Sequence, residues 1–195
     1  GGEARGRRLV SPPGKATRPP LDRVRESVFA ILGGGFEGGR VLDLFAGSGA
    51  FGLEALSRGA RFVLFVEKSP AALAALRRNL TNLGFGSRSE VLRADALAAP
   101  RLAETQPWSL VFLDPPFTMF AAEGEGAGAR AVNARVEEIL GSPQLLPGGA
   151  VVLRLPAKCP WKGEARPREK KVYGESTVLF FARDPAPEGP AAPAP

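Results

Sequence analysis

The chain has 195 residues, with 26 Lys or Arg against 20 Asp or Glu, a formal charge of +6, no histidine and a single cysteine, Cys159. Without an imidazole there is no Ser-His-Asp or Cys-His machinery, zinc sites of the usual His and Cys types are out, and one cysteine closes no disulfide within the chain. Acid–base chemistry falls to carboxylates, Tyr173, lysines or backbone groups, and no apolar run approaches the roughly 18–20 residues that span a membrane.

Residues 1–21 are rich in Arg, Pro and Gly and read as a basic arm, with a short strand around Arg8–Val10. A helix starts with Asp22 as N-cap, lines up Val24, Val28, Ile31 and Leu32 on one face, and stops at Gly33-Gly34-Gly35. From Arg40 strands and helices alternate. Strand Val41–Phe45 runs into glycine-rich chain, and Leu53–Ser57 belongs to the next helix. Strand Arg61–Val66 leads to Ser69-Pro70, a cap followed by a proline at the first helical position. That helix runs to Asn82 and closes at Gly84. Strand Glu90–Arg93, a weakly helical Ala96–Ala103 and strand Ser109–Leu113 follow; the last is apolar after its first residue, as a central parallel strand is. A looser stretch, Thr118–Arg130, precedes a helix at Ala131–Leu140, and Leu146-Pro147-Gly148-Gly149 turns into strand Ala150–Leu155. Strands Lys170–Tyr173 and Thr177–Ala182 end the domain, and residues 184–195 form a Pro/Ala-rich tail expected to be disordered.

This alternation predicts one α/β domain over residues 22–183, a mostly parallel sheet with helices on both faces. The last two strands, joined by a short connection, are expected to pair antiparallel at one edge. Ligands in such sheets bind at the carboxyl ends of the strands.

The basic excess is uneven. Residues 1–25 are net +5, from Arg5, Arg7, Arg8, Lys15, Arg18, Arg23 and Arg25 against Glu3 and Asp22. Residues 158–171 are net +4, from Lys158, Lys162, Arg166, Arg168, Lys170 and Lys171 against Glu164 and Glu169, so the remainder is net −3. Two basic segments on a mildly acidic body suit a polyanion partner. A soluble, cytoplasmic setting is the expectation, and a chain that begins without Met is processed or trimmed.

Gly47, Gly49 and Gly52 satisfy G-x-G-x-x-G between a strand and a helix, the context that gives this pattern meaning as a nucleotide loop. A dinucleotide pyrophosphate wants bare amides at a helix N-terminus. Here the strand carries Asp43, which would repel it and suits a ligand with an amino end, such as the amino-acid part of S-adenosylmethionine. Glu67 ends the second strand, where an acid can accept from both ribose hydroxyls. Asp95 follows the third, where a carboxylate could accept from an adenine amino group. Phe45, Ala46, Gly47, Ser48, Gly49, Lys68 and Ala96 complete this candidate cofactor site.

The fourth strand ends in Asp114-Pro115-Pro116-Phe117. Two prolines stiffen the turn and remove donors, so the Asp114 carboxylate and the Pro115 carbonyl can both accept from an exocyclic amine on a base. That would aim the nitrogen lone pair at a methyl sulfonium, with Asp114 taking the proton and Phe117 stacking on the base. Displacement of this kind needs positioning and electrostatics, not histidine.

These residues resemble the bacterial RsmD-like family, methyltransferases acting on guanine N2 of 16S rRNA. The likeness rests on Ala4 to Leu9, Arg18-Pro19, Asp22 to Phe29, Leu42 to Gly49, Gly52 to Gly59 and Asp114-Pro115-Pro116-Phe117, and covers residues 1 to about 183. It implies a seven-stranded class I methyltransferase fold, with one antiparallel edge strand, and S-adenosylmethionine as donor. It implies a guanine of 16S rRNA or of the small ribosomal subunit as acceptor. No metal and a monomeric state are the accompanying expectations. It also implies that chain before the first strand covers the cofactor through Arg25 and contacts RNA through Arg5, Arg7, Arg8, Arg18 and Arg23. The chain departs from the family at Arg18-Pro19-Pro20-Leu21, where members usually read Arg-Pro-Thr, and in an initial strand that is shortened at Gly1-Gly2. Three rival readings are the same chemistry on adenine N6 of DNA, an NAD-dependent oxidoreductase, and a non-catalytic RNA-binding assembly factor.

Overall fold

A computed structural model of the chain describes residues 1–12, 19–35, 37–98, 106–120 and 126–184. Arg18, most of the expected Ala96–Ala103 helix and the tail after Asp184 lie outside the described residues. Among the described residues no helix is long and apolar enough to cross a membrane.

The elements follow one another as α1 (Pro19–Ile31), β1 (Arg40–Leu44), α2 (Ala50–Ser57), β2 (Phe62–Glu67), α3 (Pro70–Leu83), β3 (Ser89–Arg93), β4 (Trp108–Leu113), α4 (Ala127–Gly141), β5 (Leu145–Pro156), β6 (Glu169–Tyr173) and β7 (Ser176–Ala182). All seven strands join one sheet in the order β3-β2-β1-β4-β5-β7-β6. The pairs from β3 through β5 are parallel, and β7 runs antiparallel to both β5 and β6. The reversed strand therefore sits one place in from the edge. Its residues are buried almost throughout, which demands neighbours on both sides, whereas β6 exposes Lys170, Lys171 and Val172 and suits the rim.

Strand residues alternate between two apolar layers. Val41, Val63, Phe65, Leu110 and Phe112 meet α1, α2 and α3 through Val28, Phe29, Leu56 and Leu76. Leu42, Leu44, Val111, Leu113 and Leu153 meet α4 through Val132, Val136 and Ile139 on the other face. The three-layer α/β architecture read from the alternation is the observed one. α3 follows the expectation at both ends: Ser69 Oγ accepts from the Ala72 amide, and Gly84 closes the helix in a left-handed conformation.

Three expectations are corrected. α1 begins at Pro19, because prolines are tolerated in a first turn whose amides have no helical partner. Asp22 lies within that turn and pairs with Arg25 at 3.1 Å. The arm forms no strand at Arg8–Val10; the Val10 amide and carbonyl are paired with the side chain of Asn79. β5 starts at Leu145, so the Pro147-Gly148-Gly149 turn is an irregular strand entry with a register shift against β4.

α2 packs closely on β2 because residue 52 has no side chain. A Cβ on Gly52 would run into the Phe65 ring and crowd Val63 Cγ1. Gly52→Ala is therefore expected to destabilise the fold by about 1–3 kcal/mol, the usual range for overpacking. Thermal unfolding of the two proteins checks this; equal melting temperatures would contradict it.

Candidate active site

Four strands bring a carboxylate to their carboxyl ends. Asp43 lies in register with Phe65 of β2 and Phe112 of β4, and Glu67 with Arg93 of β3. Asp114 follows β4 directly, its amide donating to the Leu44 carbonyl at 3.3 Å. Asp95 follows β3 and is half-exposed. The sheet thus assembles the acidic row that the sequence pattern predicts, and joins the tetrapeptide to its end.

Asp43 is 1% exposed. Its Oδ2 accepts from the Gly52 amide at 2.9 Å, in the first turn of α2. Burial pushes its carboxyl up to about 8; the Gly52 hydrogen bond opposes this, and the neighbouring Asp114 and Glu67 add to it. Asp43 is thus the anchor of the glycine loop, deeper than a residue lying on the pocket surface.

The loop reverses sharply over Phe45 to Gly49. Phe45 holds φ at 60°, a conformation that a bulky residue adopts only where its surroundings impose it. Gly47 holds φ at 57°, and the side its Cβ would occupy is open, with the nearest atom, the Phe45 carbonyl oxygen, 4.0 Å away. Glu67 borders this bare backbone. Its Oε2 accepts from the Gly47 amide, and its Oε1 from the amides of Lys68 and Ser69, each at 2.8 Å. The Lys68 ammonium meets Asp95 Oδ2 at 2.8 Å, and Asp95 Oδ1 accepts from the Leu97 amide at 3.0 Å. The Lys68 hydrogen bond holds the Asp95 carboxyl below the usual carboxylate range.

These groups are mostly acceptors, which fit ribose hydroxyls and an amino group. They fit a pyrophosphate poorly, because Glu67 already takes the Gly47 amide and would repel a second anion. Ala46 is buried beneath the loop, Ser48 gives its carbonyl to Asn79 Nδ2 at 3.0 Å, and Ala96 is buried behind Asp95.

At the tetrapeptide, Pro115 is buried, Pro116 exposed, and Phe117 opens a short 3-10 turn to Phe120, tied by the Met119 amide to the Pro116 carbonyl at 2.9 Å. Sequence reasoning did not pick out Arg154. It lies on β5, its Nε donates to Asp114 Oδ1 at 2.6 Å, and its guanidinium carbon lies 4.8 Å from the centre of the Phe117 ring. The available signal was an arginine interrupting the apolar run Val151-Val152-Leu153-Arg154-Leu155.

The basic residues divide. Arg25 is held by Asp22 and by Glu54 of α2 at 3.4 Å, so it docks α1 rather than standing at the glycine loop. Arg7 donates to the Asn82 carbonyl near the end of α3, at 2.7 Å, and Arg5, Arg8 and Arg23 are exposed. Among the described residues, no hydrogen bond or ion pair joins Arg5, Arg7, Arg8 or Arg23 to the tetrapeptide. Lys158 stands exposed two residues beyond β5, near the Asp114 end of the sheet.

Comparison with known proteins adds an independent observation. A family model described as Conserved hypothetical protein 95 matches residues 1–182. Ribosomal RNA small subunit methyltransferase D of Escherichia coli (strain K12) is 42% identical over 117 residues, 60% of this chain and 58% of that protein. The Haemophilus influenzae protein of the same name is 40% identical over 121 residues, 61% of this chain and 63% of that one. The chain thus matches less than two thirds of the length of these curated relatives. Among solved structures, a hypothetical protein of Thermus thermophilus is 30% identical, with a TM-score of 0.73 over 93% of this chain and 96% of that one. An RNA methyltransferase of Salinibacter ruber in complex with S-adenosyl-L-homocysteine is 21% identical, with a TM-score of 0.61 over 90% and 98%, a likeness of fold alone.

The raised Asp43 carboxyl has a measurable consequence. Its folded value of about 8 lies above the ordinary 3.8, so between these limits the unfolded chain has shed a proton that the folded chain keeps. The contribution of Asp43 to stability therefore falls as pH rises from about 4 to about 8. Chemical denaturation across that range is expected to show Asp43→Asn gaining on the wild type as pH rises; a constant difference would contradict the assignment.

Proposed function

We propose, from the premise that this chain belongs to the Conserved hypothetical protein 95 family, the RsmD-like family of the sequence resemblance, that it methylates small-subunit ribosomal RNA using S-adenosylmethionine. The finer reading is an enzyme acting on the exocyclic N2 amine of a guanine in 16S rRNA, as a cytoplasmic monomer, with residues 22–183 as its catalytic domain. One observation carries it: Asp114-Pro115-Pro116-Phe117 leaves β4 directly beside the glycine loop that leaves β1, with the Asp114 amide bonded to Leu44.

The acceptor groups around Gly47 fit the nucleoside part of the cofactor. Glu67 would take the ribose hydroxyls and Asp95 the adenine amino group; Phe45, Ser48 and Lys68 would form the surrounding surface, with Ala46, Gly49 and Ala96 packed beneath it. Asp43 acts from beneath, on the amino-acid end, and Arg25 acts through its hold on α2. When bound, S-adenosylmethionine supplies an electrophilic methyl group on sulfur. Asp114 and the Pro115 carbonyl accept from the two hydrogens of the guanine amine and orient its lone pair. The Asp114 carboxylate then accepts the proton that the methylated amine releases. Pro116 keeps the turn rigid, and Phe117 stacks on the base. A guanine paired in a helix would first have to leave its stack.

RNA is drawn by the two basic segments. Arg23, exposed on the first turns of α1, and Lys158, exposed beyond the Asp114 end of β5, would take RNA phosphates, with Arg18 a further contact. Arg7, bonded to the end of α3, and the exposed Arg5 and Arg8 would meet flanking RNA.

Incubation with labelled S-adenosylmethionine and unmodified small subunits, followed by nucleoside mass spectrometry, is expected to yield N2-methylguanosine. N6-methyladenine would move the acceptor to adenine, and binding of NAD would overturn the cofactor. No product despite RNA binding would favour an assembly factor. Asp114→Ala is expected to lower turnover by about two to three orders of magnitude, the scale of losing a positioned polar group, while calorimetric binding of S-adenosylmethionine stays nearly unchanged. For RNA, each phosphate that is no longer neutralised flattens the slope of log affinity against log salt by roughly 0.7–0.9. Replacing Arg23 and Lys158 with alanine is expected to flatten it, as is replacing Arg5, Arg7 and Arg8 together; an unchanged slope for either set would take that set off the RNA.

A further inference from the structure

Arg154 is a cation set into the wall of the site by three contacts. Its Nε reaches Asp114 Oδ1 at 2.6 Å, its Nη1 reaches Ser176 Oγ at 3.1 Å at the start of β7, and its guanidinium lies against the Phe117 ring. The two charged side chains are similarly enclosed, 20% exposed for Arg154 and 18% for Asp114. Phe51, Phe112, Val152 and Val178 form the apolar surroundings of the pair. An ion pair with this little water is screened weakly.

We propose that Arg154 is a positioning residue for methyl transfer: by engaging Asp114 Oδ1 it keeps that carboxyl ionised and turns Oδ2 toward the acceptor amine, while backing the Phe117 ring. The inference rests on the function proposed above. An amine that donates two hydrogens needs acceptors with fixed directions. A buried carboxyl without a cation takes up a proton and offers one acceptor fewer. Burial pushes the Asp114 carboxyl above its ordinary value, and Arg154 is the group that limits the rise. Across the glycine loop the ionised Asp114 in turn raises the carboxyl of Asp43 on β1. Ser176 fixes the far side of the guanidinium, so that the pair approaches from one direction. The planar fork of arginine meets Asp114 and Ser176 together, which a lysine ammonium reproduces in charge but not in shape.

The test is the pH dependence of kcat/KM for Arg154→Gln, Arg154→Lys and Ser176→Ala, beside the carbon-13 titration of the Asp114 carboxyl in unliganded protein. With five aspartates in the chain that resonance is assignable. Arg154→Gln is expected to move the acidic limb up by about one pH unit, so kcat/KM falls roughly tenfold below the limb and recovers above it. The Asp114 carboxyl moves up with it. Arg154→Lys is expected to keep the limb near its wild-type position with lowered kcat. Ser176→Ala is expected to keep the limb and lower kcat a few-fold with KM unchanged. An unmoved limb and carboxyl in Arg154→Gln would overturn the proposal, as would a uniform loss at every pH. If that variant does not fold, unchanged kcat in Ser176→Ala overturns it. Absence of methylation by the wild type would count against the function instead, and the carboxyl titration would still decide the role of Arg154.

Discussion

The hydrogen bond from the Gly52 amide to the buried carboxyl of Asp43 governs the geometry around it. Taking a carboxyl group out of water is unfavourable unless hydrogen bonds replace the lost ones. Here the partner is an amide in the first turn of α2, where the helix carries partial positive charge. That bond draws the helix start over the end of β1, so the connecting chain must reverse between Phe45 and Gly49. The positive φ of Phe45 and the missing side chain of Gly52 are two results of one close approach. The bare backbone at Gly47 takes its position from this reversal, and sheet register sets Glu67 and Asp114 beside it.

The alternation of short apolar strands with helical segments made the sheet legible, since a central strand such as Ser109–Leu113 has no other way to satisfy its backbone while buried on both faces. The carboxylate row was legible for a related reason: an acid just after an apolar strand is carried to the sheet's end by strand geometry. What stayed hidden depended on contacts between distant residues. Arg154 lies 40 residues from Asp114, and its partner on the next strand follows from register, which periodicity does not set. Asn79 reads as an ordinary helix residue, although its side chain is 1% exposed and completes the backbone hydrogen bonds of Val10. The true start of the N-terminal helix stayed hidden because a pair of prolines looks like a loop, yet tolerates the first turn.

Asn79 also joins two parts of the molecule that the sequence treats separately. One amide side chain serves Val10 on both its amide and carbonyl and the Ser48 carbonyl of the glycine loop. The arm is thus fastened at Val10 to the back of the loop. Glu54 does the same for α1 and α2, drawing Arg25 and Arg58 to one carboxylate. The basic residues of the first 25 positions are therefore mixed in purpose, some spent on docking and others left facing solvent.

The far rim of the sheet has a different consequence. β6 is an edge strand, and an edge offers unpaired amides and carbonyls to any chain that could add a strand. It is five residues long and holds Lys170 and Lys171 exposed beside Val172. A second copy laying its own β6 alongside would have to desolvate these charged side chains. The charges of Lys170 and Lys171, the latter paired with Glu169 at 2.9 Å, thus make strand addition costly at an edge that also exposes Val172.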